Sequence, residues 1–261
     1  MRALRWSWRW ALVCLAGLCL MAYLAVCALL FTQQRSQIYF PHAHSPLGQP
    51  ETRMLTVNGT PVYFATREVP GPQALVYLGG NADDVSLVLP TLGDIFPHHA
   101  LYLLHYRSYG GTPGRPSEAA LLADALALFD KAYAEHREVL LIGRSLGTGL
   151  AVQVASRRPA ARMVLITPYA SLVDMAAQRY PYIPVRWLML DTYDSKDYAP
   201  MLRLPTLLLA AENDEVIPMA STQSLYAHFQ PGTAQLRVVP SVGHGSIMGS
   251  ASLQALLTQV Q

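Results

Sequence analysis

The stretch that most limits how this chain can fold is VLLIGRSLGTGLA, residues 139–151. An apolar run, Val139 to Ile142, leads into Gly143-Arg144-Ser145-Leu146-Gly147, and small and apolar residues follow. A short continuous apolar run ending in glycine has the pattern of a strand buried on both faces. With a helix beginning directly after it, the turn between them must be very sharp. Glycines two residues either side of the serine remove the side chains that such a turn cannot hold. Ser145 then sits on a strained apex, with the N-terminus of the helix aimed at the same place. An ordinary tight turn also uses glycine, so the pattern needs partners elsewhere before it means chemistry.

The surrounding chain reads as alternating strands and helices. MLTV and PVYFA flank Asn58-Gly59, a strong hairpin signal. Apolar runs follow at QALVYLGG, near Leu101 to Leu104, at VLLIG, MVLIT and TLLLAA, and at QLRVVP. Between them, helical spacing is expected over Glu118–Ala134, where Leu121, Leu122, Ala125, Leu128 and Phe129 share a face, with Pro116 and Ser117 at its start. Further helices are expected over Leu146–Arg157, near Ser221–Phe229 and near Ser250–Val260, and Asp83-Asp84 reads as a helix cap. This order predicts an α/β fold with a mostly parallel sheet covered by helices on both faces.

Before this lies a different kind of segment. Trp10 to Phe31 has no charged residue and is long enough to span a bilayer as a helix. Arg2, Arg5 and Arg9 precede it, interleaved with Trp6, Trp8 and Trp10, which predicts a signal anchor with its N-terminus in the cytoplasm and the domain exported. A cleaved signal peptide is the competing interpretation, although the run is long for one and Val26-Cys27-Ala28 is only a passable cleavage site. The expected organisation is an anchor over residues 1–31, a linker over 32–50 that comes to lie on the domain, and one domain over 51–261. Cys14, Cys19 and Cys27 all fall in the anchor, so the domain has no disulfide and no thiol nucleophile. A charged fraction of 14% and a net charge of +2 argue against a nucleic-acid partner.

In a parallel sheet, functional residues collect just past the carboxyl ends of the strands. Ser145 is there. AAENDEVIP, after TLLLAA, offers Glu212, Asp214 and Glu215, and VPSVGHGSI, after the last strand, offers His244. A serine hydroxyl needs a base and the base needs an orienting carboxylate. Ser145, Asp214 and His244 supply these in the order serine, acid, histidine. Donors for an oxyanion are expected from the Leu146 N–H and, in the loop Gly79-Gly80-Asn81-Ala82, from the Asn81 N–H. His42 with His44, and His98 with His99, have metal-compatible spacing but no acidic or cysteine partners nearby, so no metal is expected there.

Taken together, GGNA at 79–82, YRSYGGTPGRPSE at 106–118, GRSLG, DEVIP and GHG resemble the alpha/beta-hydrolase superfamily, most of all its membrane-anchored alpha/beta-hydrolase domain proteins. The resemblance spans roughly residues 54–260 and implies the alpha/beta-hydrolase fold with a short insert over the active site. It implies a serine hydrolase that cleaves carboxylic ester or thioester bonds through an acyl-enzyme, with no cofactor. Two positions depart from the family pattern. Gly79 replaces a histidine that normally braces the oxyanion loop, and Ser108 replaces a glycine, a change expected to be tolerated. The insert holds Tyr182 and Trp187. With Tyr169, these are the expected substrate contacts, and an apolar roof beside a membrane anchor suggests lipid esters or acylated proteins. A serine peptidase on the same fold and a non-catalytic binding protein are the alternatives.

Overall fold

The apolar runs assemble into one eight-stranded sheet in the order β1-β2-β4-β3-β5-β6-β7-β8. The strands are β1 Thr52–Val57, β2 Thr60–Arg67, β3 Gln73–Leu78, β4 Ala100–Leu104, β5 Glu138–Arg144, β6 Arg162–Ile166, β7 Thr206–Ala211 and β8 Ala234–Val239. The computed structural model describes residues 2–42, 48–49 and 51–260. β1 and β2 form the expected hairpin, with Val57 opposite Thr60. Asn58 and Gly59 both have positive φ, as a two-residue turn matched to strand twist requires. β2 runs antiparallel to β4, and every pairing from β4 through β8 is parallel.

Successive strand residues face opposite sides, so the central strands feed two cores. Ala74, Val76 and Leu78 of β3, with Val139 and Leu141 of β5, join a core closed by helices α3 Glu118–Glu135, α4 Leu146–Ala155 and α8 Met219–His228. Leu75, Tyr77, Leu140 and Ile142 join the opposite core under α2 Val85–Ile95 and α9 Ala251–Thr258. Ser117 and Asp84 cap α3 and α2, each accepting from a backbone N–H of the first turn.

Two segments differ from expectation. The insert, which follows MVLIT and reads as an irregular stretch, is helical in part. It contains α5 Leu172–Arg179, α6 Val185–Leu188 and α7 Ser195–Tyr198. The N-terminal helix α1 runs from Arg2 to Ile38, so residues 32–38, expected to be linker, extend it by about two turns. Polar residues in those turns have partners on the domain. The Gln34 amide donates to Leu188 O at 3.2 Å and accepts from Leu190 N at 2.7 Å. Arg35 pairs with the buried Asp191 at 2.9 Å, and the Tyr39 hydroxyl meets Asp191 at 3.1 Å. Burial pushes the Tyr39 hydroxyl well above its ordinary pKa, so it stays protonated as a donor.

Candidate active site

The sharp turn after β5 places Ser145 at φ 47° and ψ −117°, a strained conformation for a residue with a side chain. Both glycines are sterically required. A Cβ on Gly147 would lie 2.0 Å from Leu78 O, and one on Gly143 would lie 2.6 Å from Gly147 O. The first contact also brings α4 directly against the end of β3, where the Gly79–Ala82 loop begins. Ser145 N donates to Ile166 O at 2.9 Å, tying the apex to the neighbouring strand.

His244 reaches Ser145 from the loop after β8. Its Nε2 lies 2.9 Å from Ser145 Oγ, and its Nδ1 lies 3.0 Å from both carboxylate oxygens of Asp214. Asp214 Oδ1 also accepts from Val216 N at 2.9 Å and Ile217 N at 2.7 Å. Burial alone pushes the Asp214 carboxyl up. The hydrogen bonds from His244, Ile217 and Val216 outweigh it and leave the pKa below the ordinary aspartate value. Of the three acids in AAENDEVIP, only Asp214 meets the imidazole. Glu212 accepts from Ser241 N at 2.7 Å, and Glu215 accepts from His244 N at 3.0 Å. That backbone hydrogen bond holds the Glu215 carboxyl below its usual pKa.

The Gly79–Ala82 loop is braced without a histidine. Asp83 Oδ2 accepts from Gly80 N at 2.7 Å and from the Tyr77 hydroxyl at 3.1 Å, while its other oxygen pairs with Arg144. Arg144 also donates to His244 O at 3.2 Å, so one guanidinium links the Gly79–Ala82 loop, the serine turn and the histidine loop. A Cβ on Gly79 would lie 3.0 Å from Val85 Cγ1 and 3.1 Å from Asp83 Cβ, so these two residues already fill the space beside it. Tyr106 and Tyr109 hold the loop carbonyls, donating to Gly79 O and Asn81 O at 2.7 Å each. The N-terminal segment reaches the same loop. Asn81 Nδ2 donates to Ile38 O at 2.9 Å, and Phe40 N donates to Asn81 O at 3.1 Å. The backbone N–H groups of Asn81 and Leu146 make no hydrogen bond among the described residues.

Ser108 has φ 70°, a conformation that favours glycine. Its N–H donates to Thr112 O at 2.8 Å and its hydroxyl to Gly114 O at 2.7 Å, which compensates the strain.

The three expected substrate contacts are placed otherwise. Tyr169 is fully buried beneath α4 and donates to Leu146 O at 3.2 Å, so it supports the turn. Tyr182 and Trp187 are 86% and 90% exposed on the insert, and neither lines the cavity that the insert shares with α1. The cavity of about 540 Å³ in this region is lined by other residues of α1, α5 and α6 and by Val216 and Pro218, just beyond Asp214. His42 lies edge-on to Tyr109 with ring centroids 5.7 Å apart, and His99 lies against Phe96. His44 lies outside the described residues. Among the described residues, no group of three or more histidine, cysteine or acidic side chains could hold a metal. Nothing in the sequence assigns the bracing roles of Glu215, Tyr106 and Tyr109. The tyrosines were visible in the YRSYGG motif, but nothing in the motif says which carbonyls they reach.

Comparison with known proteins agrees with this architecture. A profile of the family described as PhoPQ-activated pathogenicity-related protein matches residues 177–261. The Mycobacterium tuberculosis protein named Uncharacterized protein MT2364 is 35% identical over 241 residues, covering 84% of this chain and 83% of its own length. Lysophosphatidylserine lipase ABHD12 of Xenopus tropicalis is 30% identical over 180 residues, covering 58% of this chain and 45% of the lipase, so the match spans less than half of that protein. Among solved structures, MGS-M2, an alpha/beta hydrolase enzyme from a deep-sea metagenome library, superposes with a TM-score of 0.65 at 18% identity, covering 80% of this chain and 98% of that one.

Proposed function

We propose, from the premise that this chain belongs to the alpha/beta-hydrolase superfamily, that it is a serine hydrolase acting on carboxylic esters or thioesters with an acyl chain. The observation that carries this is the unbroken link from Ser145 Oγ to His244 at 2.9 Å and from His244 to Asp214 at 3.0 Å. His244 takes the serine proton as Ser145 Oγ attacks the carbonyl carbon. Asp214 holds the imidazole in orientation and stabilises its cationic form. The Asn81 and Leu146 N–H groups receive the developing oxyanion. His244 then protonates the leaving alcohol or thiol, and water activated by the same imidazole releases the acid from the acyl-enzyme. No metal or organic cofactor takes part.

The strained Ser145 conformation favours this over a non-catalytic binding protein, which would gain nothing from keeping a serine at φ 47°. Kinship with a protein named as a lysophosphatidylserine lipase supports a lipid-like ester. Helix α1 is long and apolar enough to cross a membrane, which supports a single-pass anchor with the N-terminus in the cytoplasm and the catalytic domain exported. In this arrangement, residues 1–31 are the anchor and 51–261 the catalytic domain.

The test is fluorophosphonate labelling of the wild type and Ser145→Ala in detergent-solubilised membranes. Labelling present in the wild type and lost in the variant is the expected result. A folded wild type that neither labels nor hydrolyses any ester in a panel of acyl chain lengths would overturn the proposal.

A further inference from the structure

Tyr23, Cys27, Leu30, Gln34 and Ile38 recur every three or four residues and form one face of α1. That face lies along the insert. The Tyr23 hydroxyl donates to Tyr182 O at 2.9 Å, Cys27 is buried, and Gln34 bonds both Leu188 O and Leu190 N. Tyr23 is eight residues before the end of the apolar run at Phe31, roughly 12 Å of helix deeper. If the apolar run occupies the bilayer, the loop touching Tyr23 lies at the same depth.

From this we propose that the tip of the insert, residues 180–190, is embedded in the bilayer. The cavity between it and α1 receives the acyl chain of a lipid ester directly from the hydrocarbon. The depth assignment rests on α1 being a membrane span, and the use of the cavity deepens the serine-hydrolase reading.

Three features argue for a lipid environment. Tyr182, Trp187 and Leu190 are exposed together on this tip, a costly patch in water and a favourable one against lipid. Irregular backbone at membrane depth must have its polar groups satisfied by protein, and Tyr23 and Gln34 do that for Tyr182, Leu188 and Leu190. The cavity, about 540 Å³, is walled by Leu30 and Phe31 of the apolar helix, by Met175 and Ile183 of the insert, and by Val216 and Pro218. The first pair belongs to the proposed membrane span, and the last pair follows Asp214. The cavity therefore extends from the span to the loop that carries Asp214. Gln34, Gln37, Gln178 and Arg179 also line it, but most of its walls are apolar, and a single acyl chain is the ligand that such walls suit.

Two measurements on the full-length protein in phosphatidylcholine vesicles test this. In the first, Trp6, Trp8 and Trp10 are changed to Phe, which leaves Trp187 as the only tryptophan. Its fluorescence is expected to be quenched by lipids brominated on the acyl chain and shielded from aqueous iodide. Quenching by iodide alone would overturn the membrane depth of the insert. In the second, phosphatidylcholine with a diazirine at the end of one acyl chain is photolysed and the crosslinked peptides are identified. Crosslinks in residues 172–189 are expected, falling about tenfold or more in Ala176→Trp and in Ile183→Trp, made separately so that one misfolded variant does not decide the result. Absence of these crosslinks, or their persistence in both folded variants, would overturn the cavity assignment. Neither measurement needs turnover. Crosslinking by a folded protein that neither labels with a fluorophosphonate nor hydrolyses any ester of the panel would therefore sink the serine-hydrolase reading and leave the lipid site standing.

Discussion

The side-chain amide of Asn81 donates to the carbonyl of Ile38, the last residue of α1, at 2.9 Å. The residue proposed to present an oxyanion donor is thus held by the end of α1. Removing the amide takes away one of the loop's several ties while leaving its backbone N–H in place. Asn81→Ala is expected to lower kcat roughly tenfold with little change in KM, less than the hundredfold or more that complete loss of an oxyanion donor costs. Steady-state kinetics on a soluble ester would check it. A change confined to KM would show that Asn81 acts in binding instead.

Arg144 and Asp83 form an ion pair with both side chains largely buried. Breaking such a pair leaves one buried charge without its partner. Arg144→Met and Asp83→Asn are each expected to cost about 3 kcal/mol of stability. The double variant should lose less than the sum of the two, because neither charge is then stranded. Denaturant melts of the four proteins close this cycle.

Asp214 stands below its ordinary pKa in the folded chain because three hydrogen bonds overcome the effect of burial. A depressed carboxylate stabilises the fold fully above its unfolded pKa, near about 4. The contribution is lost as pH falls through the lower folded value. Asp214→Asn should therefore be less stable than wild type at pH 7, and the difference should shrink as the solution is acidified below that range. Thermal melts between pH 3 and pH 7 would follow the convergence. The same variant should lose on the order of a thousandfold or more in kcat, since an amide no longer stabilises the imidazolium.

Gly147 leaves no room for a methyl group, because its Cβ would lie 2.0 Å from Leu78 O and 2.6 Å from Gly79 O. The obstacle is backbone, which cannot swing aside as a long side chain can. Gly147→Ala is expected to cost about 3 kcal/mol or more and to abolish labelling of Ser145 by a fluorophosphonate. Gly245→Ala is the control. A Cβ there meets nothing within 4 Å, and melting temperature and labelling should stay close to wild type.

What the sequence alone determined was local. Continuous apolar runs that end in glycine identify strands buried on both faces, because hydrophobic period and backbone freedom are properties of neighbouring residues. The Ser145 turn, the Asn58-Gly59 hairpin and the Ser117 cap could be read for the same reason. The order serine, acid, histidine was legible because each residue follows a strand. Tertiary structure decided whatever depends on residues far apart in the chain. Asp214 is the acid that the DEVIP motif points to, but only loop packing brings its carboxylate to an imidazole 30 residues on and leaves Glu212 and Glu215 on backbone N–H groups. Tertiary structure turned Tyr169 inward beneath α4 and left Tyr182 and Trp187 facing outward, because an aromatic side chain suits a core, a pocket or a membrane face equally well. It also carried α1 beyond the apolar run and onto the Gly79–Ala82 loop. That contact consists of the hydrogen bonds between Asn81 and the Ile38–Phe40 backbone, made across more than forty residues of chain. No local pattern records such a pairing.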